Sequence, residues 1–238
     1  MARIVNVWNV GRIAYQPALL LQKHLAECYK SAIDGSPTSN SITNDTLLLV
    51  EHDPVYTIGI RNNQYDAKEE SRLKALGAEF YKTNRGGLIT FHGPGQLVAY
   101  PIMNIKNLDK PGVRCYVSSI EETIIRMCKE FGITAERSPH TGVWVADNKI
   151  CAIGIHASRY ITTHGLALNC NTDLTWFEHI VPCGIDGKGI TSLTKQLGME
   201  MTIQRTIPHF LRSFSSTFNC KVEPFPIDKA RSILSEIS

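Results

Sequence analysis

Residues 85–96, Arg-Gly-Gly-Leu-Ile-Thr-Phe-His-Gly-Pro-Gly-Gln, are the most informative stretch of this sequence, and the apolar residues 97–102 follow directly. Four glycines in twelve residues let the backbone approach a ligand closely and expose its N–H groups. Arg85 adds a permanent cation, and His92 adds a group that we expect to titrate near neutral pH. A turn between two strands would need fewer glycines. We therefore interpret this stretch as a binding loop, with a tight turn between two strands as the alternative.

The elements around this loop predict an α+β fold. Strands are expected at residues 3–8, 46–51, 55–58, 78–82, 97–105, 142–145, 149–155 and 160–170. Helices are expected at residues 15–31, from a capping box at Asp66 and Glu69 to Gly77, at 113–131, and last at 202–218. Residues 34–45 form a polar loop, and Asp147-Asn148 is a hairpin turn. This mixed order favours a mixed sheet flanked by helices, within a single domain spanning residues 1–238.

The composition is that of an ordinary globular domain. The chain has 238 residues, of which 43% are hydrophobic and 20% charged, and its net charge is +3. This charge is too small to argue for nucleic acid as a partner. No apolar run approaches the roughly 20 residues needed to cross a bilayer, so we expect no membrane association.

Cys183 differs from the other cysteines because Pro182 and Gly184 place it in an irregular segment. The seven cysteines are odd in number and include no C-x-x-C pair, so neither a disulfide framework nor a zinc ribbon is favoured. A thiolate could act as a nucleophile if a cation lay beside it, and Lys149, at the start of a strand, could be that cation or a base. The alternative is an inert loop cysteine and a solvated lysine.

The histidines give weaker signals. His164 lies inside a strand-like run, where a core histidine bonded to a backbone group is the favoured interpretation. His156 and His179 carry no local signal. The spacings match no familiar metal-site motif, so we expect no metal.

Four motifs in order resemble the lipoyl(octanoyl) transferase family. They are Arg-Gly-Gly-x-x-Thr-x-His-Gly-Pro-Gly-Gln-Leu, Gly-Val-Trp-Val with Lys149-Ile-Cys-Ala-Ile-Gly, His-Gly-Leu-Ala-Leu-Asn, and Pro-Cys-Gly. The likeness runs from about residue 47 to 191, and residues 174–183 are similar to the animal mitochondrial members. Cys151 and Ile153 stand where bacterial members often have other small or apolar residues. The resemblance implies a fold like that of biotin and lipoate protein ligases.

The resemblance also implies an acyltransferase that moves an octanoyl group from octanoyl-acyl carrier protein to a lysine of lipoyl domains. These domains would belong to the glycine cleavage H protein and to 2-oxoacid dehydrogenase E2 subunits, and no cofactor is expected. The implied catalytic residues are Cys183, as the acyl-thioester cysteine, and Lys149. The implied substrate-binding residues are Arg85, Gly86, Gly87, Leu88, Ile89, Thr90, Phe91, His92, Ala152, Ile153, Gly154, Gly165, Leu166 and Ala167.

The expected chemistry is a two-step transfer through Cys183, with a short apolar tunnel that selects chain length and with Gly154 and Gly165 leaving room for it. Mitochondrial localisation is implied by the resemblance. It is weakly supported by Arg3, Arg12 and Lys23, which precede the first acidic residue, Glu27. Two alternatives remain at this point: an ATP-dependent lipoate or biotin ligase on the same fold, and a catalytically silent acyl-binding protein.

Overall fold

The computed structural model describes residues 3–36, 42–61, 65–181 and 188–237. The strands in these ranges are β1 Arg3–Arg12, β2 Asp45–Glu51, β3 Val55–Ile58, β4 Glu79–Lys82, β5 Ile89–His92, β6 Gln96–Ile102, β7 Glu136–Arg137, β8 Val143–Val145, β9 Asn148–Ser158, β10 Ile161–Asn169, β11 Gly189–Ile190 and β12 Cys220–Pro224. The α-helices are α1 Tyr15–Ile33, α2 Ala67–Lys74, α3 Val113–Glu130, α4 Leu193–Leu197, α5 Ile203–Phe218 and α6 Ile227–Ile237. Within the same ranges, 3₁₀ helices span Ile105–Asn107 and Leu174–His179.

A large mixed sheet forms the centre of the fold, in the order β12-β1-β2-β6-β10-β9-β8-β7. Strands β12 and β2 run parallel to β1, and the other neighbours along this path are antiparallel. Strand β11 pairs in parallel with the start of β9, so that Ile190 lies opposite Lys149. The expected α+β class, with helices flanking a mixed sheet, is confirmed.

Helices cover both faces of this sheet, and the side chains of β2 show why its sequence is apolar throughout. Leu47 and Leu49 pack in one core cluster with side chains of α3 and α5, whereas Leu48 and Val50 pack in a second cluster with side chains of α1 and α6. A strand with helices on both faces has no solvent side, and an uninterrupted apolar run is typical of it.

A smaller sheet in the order β4-β3-β5 lies over β9 and β10. It has its own apolar core, which includes Tyr56, Phe91 and Phe177. The loop between β4 and β5 attaches it to the large sheet, because the Gly86 N–H donates to the Ile155 carbonyl at 2.9 Å and Asn84 Oδ1 bonds His164 Nε2 at 3.0 Å. The space between the two sheets is where the site is found.

Most expected elements are present, with differences at their ends. The strand expected to reach Ile105 ends at Ile102, because Asn104 caps a 3₁₀ helix by accepting from the Lys106 N–H. The hairpin turn lies at residues 146–147, one residue earlier than expected, and Ala146 adopts a φ of 50°. Residues 202–218 do not hold the last helix, since β12 and α6 follow. Residues 37–41 of the expected polar loop at 34–45 lie outside the described residues, and its last residue, Asp45, already belongs to β2.

Only half of the expected capping box forms at α2. Asp66 accepts hydrogen bonds from the N–H groups of Lys68 and Glu69, as an N-cap does. The Glu69 carboxylate, however, bonds the Arg72 guanidinium at 2.8 Å, in an i,i+3 pair. The glutamate is therefore used within the helix and does not return to the N-cap.

No helix in the described ranges combines the length and apolar composition that a bilayer crossing requires.

Gly165 is required by the spacing of β10 and β6. A Cβ atom at this position would lie 2.1 Å from the Ala99 carbonyl oxygen and 2.7 Å from Pro101 Cδ. We expect Gly165→Ala to lower the free energy of unfolding by about 3 kcal/mol, since β6 must move. Gly132→Ala is the control: nothing lies within 4 Å of its added Cβ, and its φ of +72° alone should cost about 1 kcal/mol. Equal losses for the two variants in urea unfolding would contradict this explanation.

Candidate active site

A narrow cavity of about 40 Å³ lies between the small sheet and β9 and β10. We call it the main cavity. Twelve of the fourteen predicted substrate-binding residues line it, and they come from three separate segments of the chain. These twelve are Arg85, Gly87, Leu88, Ile89, Thr90, His92, Ala152, Ile153, Gly154, Gly165, Leu166 and Ala167.

The two remaining predicted residues lie elsewhere. Gly86 lines an adjoining open groove of about 460 Å³. Phe91 is buried in the core of the small sheet, where its ring stacks on Trp176 with centroids 5.0 Å apart. Side chains alternate between the faces of a strand, so Thr90 and His92 face one way and Phe91 the other.

Small residues on neighbouring strands form one wall of the main cavity. Ala167 lies opposite Ala152, and Gly165 lies opposite Gly154. Contrary to expectation, neither glycine leaves its missing side chain as free space. A Cβ at Gly154 would lie 2.8 Å from the Gly86 carbonyl oxygen, just as one at Gly165 would meet β6. These glycines permit close backbone contacts, and the alanines provide the small side chains of the wall.

Lys149 lies where the main cavity and the open groove approach each other. It lines the groove, and it also lines a small connecting pocket that shares Thr90, Ala152 and Ala167 with the main cavity. The lysine is 3% exposed, and its ammonium lies 4.8 Å from the centre of the Trp144 ring. A cation over an indole face is stabilised by the ring quadrupole. A long side chain from outside could therefore reach Lys149 through the groove, and a ligand in the main cavity could reach it through the pocket.

Arg85 is buried and fixes the glycine loop. Its Nη2 donates to the Thr57 carbonyl at 2.6 Å and to Thr57 Oγ1 at 3.0 Å, and its Nη1 donates to the Gly86 carbonyl at 3.0 Å. These acceptors are backbone and hydroxyl oxygens. The loop is thus attached to β3 through its own cation.

The expectation that His92 titrates near neutral pH is wrong. Burial, and to a smaller extent the nearby His52, lower the pKa of His92 to about 3. The His92 Nδ1 bonds Gln96 Oε1 at 2.8 Å, and Nε2 lies 3.3 Å from Thr57 Oγ1. The ring is therefore a neutral hydrogen-bonding group in the cavity wall, and it carries no charge at physiological pH.

His164 and two tyrosines line the main cavity, although the sequence did not single them out as site residues. His164 has a φ of 57° and bonds a side chain, Asn84, where a backbone partner was expected. Burial lowers the pKa of His164 to about 3 and raises the pKa of Tyr15 to about 12. Tyr100 donates to His52 Nε2 at 2.7 Å, because the Ile13 carbonyl holds the proton on His52 Nδ1. This end of the cavity is aromatic and uncharged apart from Arg85.

Cys183 lies outside the described residues, but the chain on either side of it lies at the site. Phe177, before it, and Ile190, after it, line the same connecting pocket as Lys149. Ile190 is also the strand partner of Lys149. The other six cysteines have no disulfide, and four of them are buried. In the described ranges, no group of three or more His, Cys, Asp and Glu side chains could hold a metal ion.

Comparisons with known proteins identify the family. The family model for the lipoyl protein ligase A/B catalytic domain matches residues 17–215. The mitochondrial octanoyl-[acyl-carrier-protein]:protein N-octanoyltransferase of Danio rerio is 57% identical over 217 residues, which are 91% of this chain and 93% of that protein. The Homo sapiens protein of the same name is 43% identical over 219 residues, covering 91% and 94%.

A solved structure confirms the expected fold. A bi-partite lipoate protein ligase from Thermoplasma acidophilum superposes with a TM-score of 0.72 and 15% sequence identity, covering 99% of this chain and 91% of that one. At this identity the similarity concerns the fold alone. The predicted biotin/lipoate protein ligase-like architecture is therefore correct.

The buried histidines should make the protein sensitive to acid. Burial lowers the pKa of His52 to about 4, as it lowers the pKa values of His92 and His164 to about 3. Between pH 6.5 and 4 the unfolded chain binds protons on these rings and the folded chain does not. As the pH is lowered through this range, the free energy of unfolding should therefore fall by about 1.4 kcal/mol per pH unit for each ring.

The variant His164→Asn tests this expectation, because asparagine tolerates a positive φ. Urea unfolding between pH 6 and 5 should show a slope smaller than that of the wild type by about 1.4 kcal/mol per pH unit. His179→Asn, at an exposed position, is the control, and its slope should keep the contributions of all three buried rings to the pH dependence of the free energy of unfolding. The same slope for His164→Asn and the wild type would show that His164 does not stay neutral in the folded state.

Proposed function

The chain belongs to the lipoyl protein ligase A/B catalytic domain family, and we propose that it moves octanoyl from acyl carrier protein to lipoyl domains through a thioester on Cys183. The expected enzyme class, an acyltransferase of lipoate biosynthesis, and the expected mitochondrial localisation agree with its relatives. The ATP-dependent ligase alternative is not favoured, because the similarity to ligases is at the level of fold, whereas the relatives at 43% and 57% identity are transferases.

One observation carries the role of Cys183. The connecting pocket contains Lys149 together with Phe177 and Ile190, which lie on either side of the Cys183 segment. This pocket joins the main cavity, whose small and apolar wall suits an acyl chain. Burial of such a chain contributes about 0.8 kcal/mol for each methylene group. The thioester carbon would then lie next to Lys149, at the end of the cavity that opens toward the groove.

In the first step, the thiol proton of Cys183 passes to the Lys149 amine, and the thiolate attacks the thioester carbonyl carbon of octanoyl-acyl carrier protein. A bond from Cys183 Sγ to this carbon forms, and the bond to the phosphopantetheine sulfur breaks. The departing thiolate takes the proton back from Lys149. The product is octanoyl-Cys183 and free carrier thiol, so the protons balance.

In the second step, the amine of a lipoyl-domain lysine attacks octanoyl-Cys183. A C–N bond forms, the C–Sγ bond breaks, and the proton of the attacking amine passes through Lys149 to the Cys183 sulfur. An amide is more stable than a thioester, so this step proceeds without ATP and no cofactor is needed. We propose the glycine cleavage H protein and 2-oxoacid dehydrogenase E2 subunits as acceptors.

The cysteine is tested by intact mass spectrometry after mixing the protein with octanoyl-acyl carrier protein. The wild type should gain the mass of one octanoyl group, peptide mapping should locate it on Cys183, and a lipoyl domain should remove it. Cys183→Ser should show no adduct, whereas Cys115→Ser, which changes a partly exposed cysteine on α3, should behave as the wild type. An octanoyl adduct on any other residue would show that Cys183 is not the nucleophile.

The lysine is tested by the rate of adduct formation. Lys149→Met removes the amine but keeps the length of the side chain, and we expect the single-turnover rate constant to fall about 10²- to 10⁴-fold. The control Lys195→Met replaces an exposed lysine on α4. A rate constant for Lys149→Met close to the wild-type value would remove Lys149 from the mechanism, while leaving the thioester on Cys183 intact.

A further inference from the structure

Two buried amides meet where β6 begins and β10 ends. Gln96 and Asn169 are strand partners and line the connecting pocket beside Lys149. The Gln96 Nε2 donates to Asn169 Oδ1 at 2.9 Å and to the Phe91 carbonyl at 3.2 Å. Both of its N–H groups are thus used, and its Oε1 is left to accept the Nδ1–H of His92. The orientation of each amide follows from its partners.

On one side these amides connect to Arg85. Gln96 Oε1 can only accept, so His92 carries its proton on Nδ1 and its Nε2 must accept. The Thr57 hydroxyl is 3.3 Å from this Nε2 and donates to it, while Thr57 Oγ1 itself accepts from Arg85 Nη2 at 3.0 Å. The bonds from the guanidinium to Asn169 therefore all point in the same direction.

On the other side the amides connect to Lys149. Asn169 Nδ2 donates to the Thr191 carbonyl at 3.0 Å, and the Thr191 N–H donates to the Lys149 carbonyl at 3.0 Å. Thr191 directly follows β11, so it lies where the chain returns from the Cys183 segment. One continuous series of donors, Arg85, Thr57, His92, Gln96, Asn169 and Thr191, ends on the backbone of the lysine.

We propose that Asn169 is a positioning residue, and that this one-directional hydrogen-bond chain holds Lys149 and the strand after Cys183 in register with the Arg85–His92 binding segment. The proposal rests on the proposed function, because it gives the hydrogen-bond chain a role in the acylation step. All the side chains in the chain are buried, and a buried donor or acceptor that loses its partner is costly. Loss of any one of these hydrogen bonds should therefore change the position of Lys149.

The direct test replaces Asn169 by leucine, which has a similar volume but neither donates nor accepts. In a single turnover with octanoyl-acyl carrier protein, the acylation rate constant should fall about 10²-fold, with the concentration for half-maximal rate unchanged. Asn171→Leu is the matched control, because its side-chain amide donates to the surface carboxylate of Glu200 at 3.2 Å, and it should keep the wild-type rate constant. A purely structural role would reduce the adduct amplitude and leave the rate constant unchanged.

A second variant breaks the chain outside the pocket. Thr57→Val preserves shape, and Thr57 lines none of the three spaces of the site. The acylation rate constant should fall, and the double variant with Asn169→Leu should be no slower than Asn169→Leu alone. Thr123→Val, which removes a buried hydroxyl bonded to Ser119 within α3, is its control. Multiplicative losses in the double variant would show that the two residues act independently and would overturn the proposal.

Hydrogen exchange tests the chain without reference to acyl transfer. The Thr191 amide should exchange faster in Asn169→Leu than in the wild type, and at the wild-type rate in Asn171→Leu. Unchanged protection of Thr191 in Asn169→Leu would refute the positioning role. The wild type could form no adduct while Thr191 still exchanges faster in Asn169→Leu than in the wild type. In that case the proposed function would fail, and the link from Asn169 to Lys149 would stand.

Discussion

The hydrogen bond from the Gly86 N–H to the Ile155 carbonyl sets the distance between the two sheets, and the site depends on that distance. It connects the glycine loop of the small sheet to the edge of β9, at a point beyond the end of β8. Gly154 must lack a side chain for this contact to form, since a Cβ there would lie 2.8 Å from the Gly86 carbonyl oxygen. The main cavity is the space left beneath the loop once this bond is made.

The second constraint is electrostatic, because the cavity wall holds polar groups in a poorly hydrated place. Burial keeps His52, His92 and His164 neutral, and each has a hydrogen-bond partner. Among the described residues that line the main cavity and the connecting pocket, the charged side chains are Arg85, which attaches the loop to β3, and Lys149 in its protonated form. In the proposed mechanism, this neutral lining accepts the acyl chain, and Lys149 transfers the proton during thioester exchange.

Much of the fold was predictable because its patterns are local. The apolar run of β2, the helical stripe of α3 and the hairpin at residues 143–158 depend on neighbours a few positions away. The missing terminal elements were not predictable in the same way. Strand β12 is held by β1, more than 200 residues earlier, and α6 by its packing on α1. No local signal in a five-residue strand encodes such a partner.

The site shows the same contrast between features that follow from local sequence and features that depend on distant contacts. The motifs identified segments that line one cavity, but they could not show that Phe91 points into the core or that the pKa of His92 falls so far. Both facts depend on what surrounds the strand in three dimensions. The hydrogen-bond chain through Gln96 and Asn169 was also missed, although each residue lies at or next to the end of a motif that was recognised. Their roles become visible only when β6 and β10 pair and bring the two motif ends together.

The most direct test of this account is a crystal structure of the octanoyl-enzyme, prepared from octanoyl-acyl carrier protein without an acceptor. We expect a thioester on Cys183 within hydrogen-bonding distance of Lys149 Nζ, and an octanoyl chain that lies against Ala152 and Ala167 in the main cavity. A chain bound on another surface, or a thioester separated from Lys149 by the body of the protein, would contradict it.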